Sequence, residues 1–238
     1  MVRWVREDGG VIAPDQFIPL AEATGLIVRL GELVLLESAE TVSKWNADGA
    51  VDGGLWVSVN LSARQLSEPS LVETVRHALE STGLPADRLH LEVTETVVMD
   101  DVRESIVRLD DIRGLGVRLS IDDFGTGHSS LAYLKQLPVD TLKIDRSFVD
   151  GVVDDPDDRT IVEAVVSLGR ARGLTCLAEG VETPAQLEAL VRMVCQLGQG
   201  YHWARPMPAD EARRWFEARM PTVHNGGGTI GPSDVTES

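Results

Sequence analysis

The chain has 238 residues, of which 43% are hydrophobic, and a formal net charge of −16. This length suffices for one large domain or two small ones with a buried core. The negative charge excludes a protein that binds duplex nucleic acid by neutralising its phosphates, and no uninterrupted apolar run is long enough to span a bilayer.

The N-terminus and the cysteines favour a cytoplasmic protein. The first ten residues, MVRWVREDGG, lack the apolar stretch of a secretory signal. Cys176 and Cys195 stand in apolar contexts without the spacing of metal ligands, so we expect buried free thiols in a reducing compartment. Residues 220–238, rich in Gly, Ser and Thr, are predicted to be a disordered tail after a domain that spans residues 1–219.

The first 54 residues are predicted to contain two helices after an irregular start. EDGG at residues 7–10 is a turn signal, and the segment around it resembles the end of an element more than the beginning of a domain. From Asp15 to Trp45, apolar residues recur at helical spacing in two stretches. A polar, glycine-rich link follows at residues 46–54.

From residue 55 onward, predicted strands and helices alternate. The predicted strands cover residues 55–60, 89–94, 117–122, 139–144, 174–178 and 194–200. The predicted helices cover residues 70–81, 101–114, 129–136, 157–172, 184–193 and 208–220. This alternation with apolar strands predicts an α/β fold with a parallel sheet covered by helices.

The length suits a (β/α)₈ barrel, which typically has about 250 residues. The pattern yields about six strands, however, whereas a closed barrel of this type has eight. Three alternatives remain: two strands escape the pattern, the sheet is open, or the barrel lacks its beginning. The irregular start favours the last of these.

Polar side chains follow the predicted strands at their carboxyl ends, where barrel enzymes carry their active sites. The clearest case is VRLSIDDFGTG at residues 117–127, in which a strand ends in Asp122 and Asp123 before a glycine-flanked turn. Considered alone, this pair is explained at least as readily by a solvated acidic turn as by a functional site. The full set of strand-end residues is Asn60, Glu92, Glu95, Asp122, Asp123, Lys143, Asp145, Glu179, Glu182 and Gln199.

Carboxylates that converge on one pocket repel one another unless cations neutralise them. Because the candidate ligands are all oxygen donors, they favour Mg²⁺ or Mn²⁺ over a structural zinc. Several carboxylates indicate two ions about 3.5–4 Å apart, an arrangement that suits phosphoryl transfer. Lys143 is predicted to orient the attacking water or neutralise charge, the alternative being a lysine in a structural ion pair.

Other catalytic constellations are incomplete. DFG at residues 123–125 matches the metal-binding triplet of protein kinases, but no glycine-rich phosphate loop or HRD element precedes it. The sequence contains no Walker A motif and no nucleophile elbow. We interpret His128 as an ordinary loop residue.

Five segments resemble the successive signatures of the EAL-domain family. They are VNLSARQL, LHLEVTET, VRLSIDDFGTGHSSLAYLKQLPVDTLKIDRSFV, AEGVET and QGYHWARPMP. The similarity runs from Arg3 to Phe216, nearly the whole predicted domain. The resemblance implies a modified TIM barrel that hydrolyses the bacterial second messenger cyclic di-GMP to linear pGpG with Mg²⁺ or Mn²⁺.

The resemblance also implies roles for individual residues. The implied metal ligands are Asn60, Glu92, Asp122, Asp123 and Glu179, of which Glu179 is also the implied base. Lys143 resembles the lysine beside the attacking water, and Glu95 resembles the residue that anchors the loop after Asp123. The implied dinucleotide contacts are Arg3, Pro14, Phe17, Asp145, Glu182 and Gln199. The loop after Asp123, residues 124–130, is similar to the loop that is implicated in homodimers of the family.

The chain departs from the family pattern at three places. His128 stands where the family usually has Tyr, and Gln196 where it often has Asp. The name-giving Glu-Ala-Leu, whose Glu is a metal ligand, should immediately precede VRW, and here Met1 occupies the Leu position. The resemblance therefore implies a barrel that lacks its first strand and most of its second. A TTG codon encodes Leu within a gene but is read as Met at initiation. A reading frame that begins at a TTG codon for that Leu would therefore produce this start.

Two functions from different classes follow. The first is a metal-dependent cyclic di-GMP phosphodiesterase, of which this chain is expected to be a weak or inactive form. The second is a degenerate module that binds cyclic di-GMP or a protein partner without turnover.

Overall fold

The computed structural model describes residues 2–6, 8–49, 54–126 and 131–219. The irregular start is a small antiparallel hairpin, in which β1 (Trp4–Val5) pairs with β2 (Val11–Ile12) across the predicted turn. Two helices follow, α1 (Pro14–Thr24) and α2 (Leu26–Ala47), as the apolar spacing predicts. The predicted link at 46–54 lies partly outside the described residues, and the predicted tail at 220–238 lies wholly outside them.

A six-stranded parallel sheet forms the centre of the molecule. Its strands are β3 (Val57–Asn60), β4 (Leu89–Thr94), β5 (Arg118–Phe124), β6 (Thr141–Ile144), β7 (Thr175–Ala178) and β8 (Leu197–Gly198). Each strand pairs with the next along the chain. Within the described residues, β3 and β8 have a partner on one side only, so the sheet is open.

The strands are parallel because each is followed by a crossover that returns the chain to the same end of the sheet. Their apolar side chains are buried, as in Leu89, Leu91 and Val93 of β4 and in Leu119 and Ile121 of β5. Burial on both faces explains why these strands read as nearly continuous apolar runs.

All the predicted helices of the alternating region are present. They are α4 (Leu71–Thr82), α6 (Val102–Arg113), α7 (Leu131–Leu134), α9 (Pro156–Arg172), α10 (Pro184–Arg192) and α11 (Ala209–Arg219). Among the described residues, three short α-helices were not predicted, α3 (Ala63–Leu66), α5 (Glu95–Asp100) and α8 (Arg146–Gly151). Each begins within a few residues of the carboxyl end of a strand, so the three lie at the same edge of the sheet.

Both cysteines are free, as predicted, and Cys176 is buried, whereas Cys195 is only partly buried instead of fully buried. None of the described helices combines the length and the apolar character needed to cross a membrane.

Candidate active site

The parallel register brings the predicted site residues that follow the strands to one edge of the sheet. Asn60 at the end of β3 is aligned with Glu92 in β4, and Thr94 at the end of β4 is aligned with Asp122 in β5. Lys143 stands one residue before the end of β6. The carboxyl ends of consecutive parallel strands lie side by side, so these side chains meet although they are far apart in sequence.

Asp122 and Asp123 lie inside β5, which runs two residues further than predicted. Neighbours in a regular strand point to opposite faces of the sheet. Here the pairing with β6 shifts register between Ile121 and Phe124, and Asp123 has a φ of 54°. An irregularity of this kind re-aims a side chain, and it brings both aspartates to the same site.

Lys143 lies at the centre of this edge with a side chain that is 4% exposed. Its Nζ is 2.6 Å from Glu92 Oε2, 3.0 Å from Asp122 Oδ1 and 2.6 Å from Glu179 Oε1. Three strands and the segment after β7 therefore supply one ammonium and three carboxylates to a single buried network. The lysine forms ion pairs and lies among the candidate ligands, so its placement is compatible with both sequence interpretations.

The electrostatics of the network follow from burial and proximity. Burial alone would lower the pKa of Lys143, but Glu92, Glu179 and Asp122 outweigh burial and raise that pKa above its ordinary value. Burial raises the pKa of Glu179 to about 6, with a further rise from Asp122 and a partial offset from Lys143. Lys143 is therefore charged at neutral pH, whereas Glu179 can exchange a proton near neutrality.

Asp123 and Asp145 interact directly and are shifted in opposite directions. Burial, followed by the nearby charges of Asp122 and Asp145, raises the pKa of Asp123. Burial opposes ionisation of Asp145 as well, but hydrogen bonds from the Ser147 hydroxyl and backbone outweigh it and lower the Asp145 pKa. The Asp145 carboxylate accepts the Ser147 N–H at 3.0 Å and caps helix α8.

Glu95 supports the turn that follows the two aspartates. It is the first residue of α5, its side chain is buried, and Oε2 accepts the Gly125 N–H at 3.0 Å. Gly125 has a φ of 100°, a conformation that favours glycine. This contact agrees with the anchoring role that the resemblance implies, although residues 127–130 of that loop, including His128, lie outside the described residues.

Gln199 and Glu182 are exposed, and each is paired with another side chain near the site. Gln199 Nε2 donates to Glu179 Oε1 at 2.6 Å, the same oxygen that pairs with Lys143. Glu182 Oε1 lies 2.9 Å from a guanidinium nitrogen of Arg146. The sequence analysis did not single out Arg146, and its position directly after Asp145 was the available signal.

An open cavity of about 710 Å³ adjoins this edge of the sheet. Glu179, Glu182 and Gln199 line it together with the aromatic rings of Tyr201 and Trp203. The cavity therefore combines acidic groups with flat apolar surfaces.

The N-terminal candidates lie in other elements. Arg3 is exposed just before β1, and Pro14 is the first residue of α1. Phe17 is buried and contacts the Trp4 ring edge-on, with centroids 5.8 Å apart. In the described part of the chain, no hydrogen bond or ion pair joins these three residues to the acidic network.

Among the described residues, three carboxylates are placed to hold a metal ion. Asp122, Asp123 and Glu179 each offer an oxygen atom, and these atoms lie within 4.8 Å of one another. An all-oxygen donor set of this kind fits Mg²⁺ or Mn²⁺. Glu92 is engaged by Lys143, and Asn60 stands beside it in the neighbouring strand, so these two predicted ligands border the set of three.

A family model described as the EAL domain matches residues 1–206. The chain belongs to the EAL-domain family. MucR of Pseudomonas aeruginosa, named a bifunctional diguanylate cyclase/cyclic di-GMP phosphodiesterase, is 48% identical over 89% of this chain and 30% of its own length. NbdA of the same organism, named a cyclic di-GMP phosphodiesterase, is 46% identical over 92% of this chain and 28% of its own. The chain thus spans less than a third of these relatives.

Solved EAL domains share the architecture. A structure described as the PaMucR phosphodiesterase in complex with c-di-GMP has a TM-score of 0.84 and 48% identity, covering 88% of this chain and 84% of that one. The EAL domain of Mycobacterium smegmatis DcpA has a TM-score of 0.77 and 40% identity, covering 82% and 86%. These likenesses confirm the predicted α/β fold of the EAL type.

Proposed function

We propose that this EAL domain is a metal-dependent phosphodiesterase that hydrolyses cyclic di-GMP to linear pGpG. The observation that carries the proposal is the buried Lys143 surrounded by Glu92, Asp122 and Glu179 at the carboxyl edge of the sheet. Relatives at 46–48% identity that are named for this activity support it.

The divalent cation, Mg²⁺ or Mn²⁺, would be held by Asp122, Asp123 and Glu179, with Asn60 and Glu92 completing a two-ion site. When bound, such cations supply Lewis acidity toward the phosphate oxygens. The fit of the donor set to these ions supports the assignment.

The residues of the chain position the reactants and move one proton. Lys143 neutralises charge and orients the attacking water with its ammonium group. Glu179, with a pKa of about 6, is largely ionised at neutral pH and accepts a proton from that water. The water oxygen forms a bond to phosphorus, the bond between phosphorus and the 3′ oxygen breaks, and the 3′ oxygen takes a proton from solvent. The product is a linear dinucleotide with a 5′ phosphate.

The remaining candidates are proposed to bind the dinucleotide or to shape the site. The proposed substrate contacts are Arg3, Pro14, Phe17, Asp145, Glu182 and Gln199. Glu95 positions the turn after Asp123 through Gly125. The loop after Asp123 is the proposed contact of a homodimer, and the proposed domain spans residues 1–219.

The test is turnover of cyclic di-GMP, with pGpG separated by liquid chromatography, in Mg²⁺, in Mn²⁺ and in a chelator. We expect product only with a divalent cation. The Asp122→Asn variant should lose activity by about a hundredfold or more, since even groups that only support metal ligands contribute up to about this factor. Asp154→Asn is the matched control, because Asp154 is exposed on the turn before α9. Equal activity in both variants would contradict the proposal.

The second candidate is a module that binds the dinucleotide without turnover. The open sheet, in which β3 and β8 each have one partner among the described residues, favours it. Titration calorimetry of cyclic di-GMP in Ca²⁺, alongside the turnover assay in Mn²⁺, separates the two functions. Saturable binding without product selects the module, and product selects the phosphodiesterase.

A further inference from the structure

A basic pocket lies at the opposite end of the sheet from the acidic network. It is an open cavity of about 340 Å³ lined by Arg113, Arg118 and Arg172 around Asp140. Arg118 begins β5, and Asp140 immediately precedes β6. The pocket therefore stands at the amino ends of adjacent strands and shares no lining residue with the cavity beside Glu179.

Among the described residues that line the pocket, Asp140 is the one acidic side chain, and it pairs with two of the three arginines. Its Oδ1 is 3.1 Å from Arg118 Nη1 and 3.6 Å from Arg113 Nη2, and its Oδ2 accepts the Leu119 N–H at 3.0 Å. Arg172 donates to the backbone oxygen of Lys135 at 2.9 Å, which neutralises no charge. The described residues of the pocket thus carry three positive charges and one negative charge.

The guanidinium groups keep donors for another partner. Each guanidinium has five N–H groups, and in the described part of the chain the hydrogen bonds and ion pairs of the Arg113, Arg118 and Arg172 side chains are those named above. Arg113 and Arg118 are about half exposed, whereas the Asp140 side chain is 16% exposed. The carboxylate is therefore held at the base of the pocket, and donors of the arginines face the solvent.

The composition of the chain makes this grouping unusual. Acidic residues outnumber basic ones by 38 to 22. The last turn of a helix favours basic residues, which accounts for Arg113 at the end of α6 and Arg172 at the end of α9. It does not account for the convergence of two helix ends and a strand arginine on one cavity.

We propose that the basic pocket binds a small phosphate-bearing anion, separately from the acidic network. Arginine is well matched to phosphate because its planar group donates two parallel hydrogen bonds. A chain with a charge of −16 repels anions over most of its surface, so a local excess of positive charge is the place where one can bind. The buried side chains of Leu137 and Val139 line the same cavity and offer apolar contacts to a nucleoside attached to the phosphate.

The experiment is a titration of the full chain followed by NMR of backbone and arginine side-chain N–H groups. Inorganic phosphate is used in one arm and a nucleoside 5′-monophosphate in the other. Both are titrated at low salt with EDTA, so that no divalent cation can bridge the anion to the acidic network. The variants are Arg172→Gln and Arg113→Gln, and Arg170→Gln is the matched control, since Arg170 is exposed on the same helix and does not line the pocket.

Saturable shifts centred on the pocket in either arm support the proposal. If inorganic phosphate saturates the pocket, the phosphate is the recognised group. If only the nucleotide saturates it, binding requires the nucleoside as well. Arg172→Gln and Arg113→Gln should each weaken binding about tenfold, the effect of losing a charge-assisted hydrogen bond, while Arg170→Gln leaves it unchanged. Absence of saturation in both arms, or equal weakening in all three variants, overturns it.

Discussion

At the scale of single residues, Lys143 sets the charge balance of the acidic network. Its ammonium lies within 3.0 Å of Glu92, Asp122 and Glu179, and its side chain is almost fully buried. Three carboxylates at this distance would repel one another strongly without it. The lysine therefore holds the network together in the absence of other cations.

Replacing Lys143 with methionine should destabilise the protein. Removing one partner of a buried ion pair typically costs about 3–5 kcal/mol, because the remaining charges stay buried without a partner. We expect a loss of this size in the free energy of unfolding at pH 7, measured by urea denaturation in EDTA. Lys44→Met is the control, since Lys44 is exposed and pairs with the exposed Glu40 on α2, and it should change stability by less than about 1 kcal/mol. Similar losses in the two variants would contradict the prediction.

His90 illustrates a titratable group outside the acidic network. Its ring stacks on Trp56 with centroids 4.2 Å apart. Burial, and then the positive charge of Arg118, lowers its pKa, against smaller opposing effects of Asp140 and Asp87. The folded protein therefore favours the neutral imidazole.

The lowered pKa of His90 fixes the direction of a pH effect. Below about pH 6.5, the ordinary pKa of histidine, the unfolded chain takes up a proton that the folded chain resists, so stability falls as pH falls. His90→Gln lacks this contribution, and the stability difference between wild type and variant should shrink from about pH 7.5 to pH 5.5. Urea denaturation at the two pH values measures it. A stability difference that stays constant between the two pH values would contradict the prediction.

At the scale of elements, the long alternating pattern was predictable, and three of the short helices were not. The predicted strand at 89–94 coincides with β4, and the helix predicted at 157–172 differs from α9 by one residue. Helices α3, α5 and α8 have four to six residues, too few to show helical periodicity. Only their caps signal them, as in the capping box between Ser62 and Gln65.

The candidate site was likewise predictable only in part, because its residues could be predicted and their contacts could not. Most of its candidate residues followed from polar residues at strand ends, a local property of the sequence, whereas Arg3, Pro14 and Phe17 followed only from the resemblance to the family. The contacts within it, such as Lys143 with Glu92 or Gln199 with Glu179, depend on the register of distant strands. The irregularity that turns Asp123 toward Asp122 depends on pairing between β5 and β6, which the sequence pattern does not specify.

The packing of α9 on β7 depends on a close approach at Gly169. A Cβ atom at this position would lie 2.3 Å from Cys176 Sγ, far inside van der Waals contact. Alanine is the better helix former by up to about 1 kcal/mol, but overpacking a core typically costs about 1–3 kcal/mol.

Gly169→Ala should therefore lower the free energy of unfolding, and Cys176→Ala should relieve the clash. We expect the double variant to be more stable than the sum of the two single changes predicts, by at least about 0.5 kcal/mol, the coupling typical of residues in contact. Urea denaturation of the three variants measures this coupling. Strictly additive effects would show that the helix shifts away from the sheet instead.

At the scale of the whole molecule, charge is distributed along the axis of the sheet. Carboxylates collect at the carboxyl edge, the basic pocket lies at the amino edge, and the chain as a whole carries −16. A strongly acidic fold is opposed by repulsion between its own charges. A cation that binds the folded carboxyl edge and not the unfolded chain should therefore stabilise the protein.

Mg²⁺ or Mn²⁺ should raise the midpoint of thermal unfolding relative to EDTA, because Asp122, Asp123 and Glu179 present their oxygens together only in the folded state. At a concentration about one hundred times the dissociation constant, binding of one ion contributes about 2.7 kcal/mol. Calorimetry across a series of Mn²⁺ concentrations measures the effect. The midpoint should rise with concentration, and Asp122→Asn should abolish most of the rise.

Screening of the net charge is the competing explanation, and it acts at long range on every acidic group of the chain. NaCl at matched ionic strength screens the same repulsion without offering a divalent ion, so it isolates the contribution of the carboxyl edge. A rise of equal size in NaCl, or in Asp122→Asn with Mn²⁺, would assign the stabilisation to screening. A rise that needs Mn²⁺ and Asp122 assigns it to the three carboxylates that the fold of the sheet brings together.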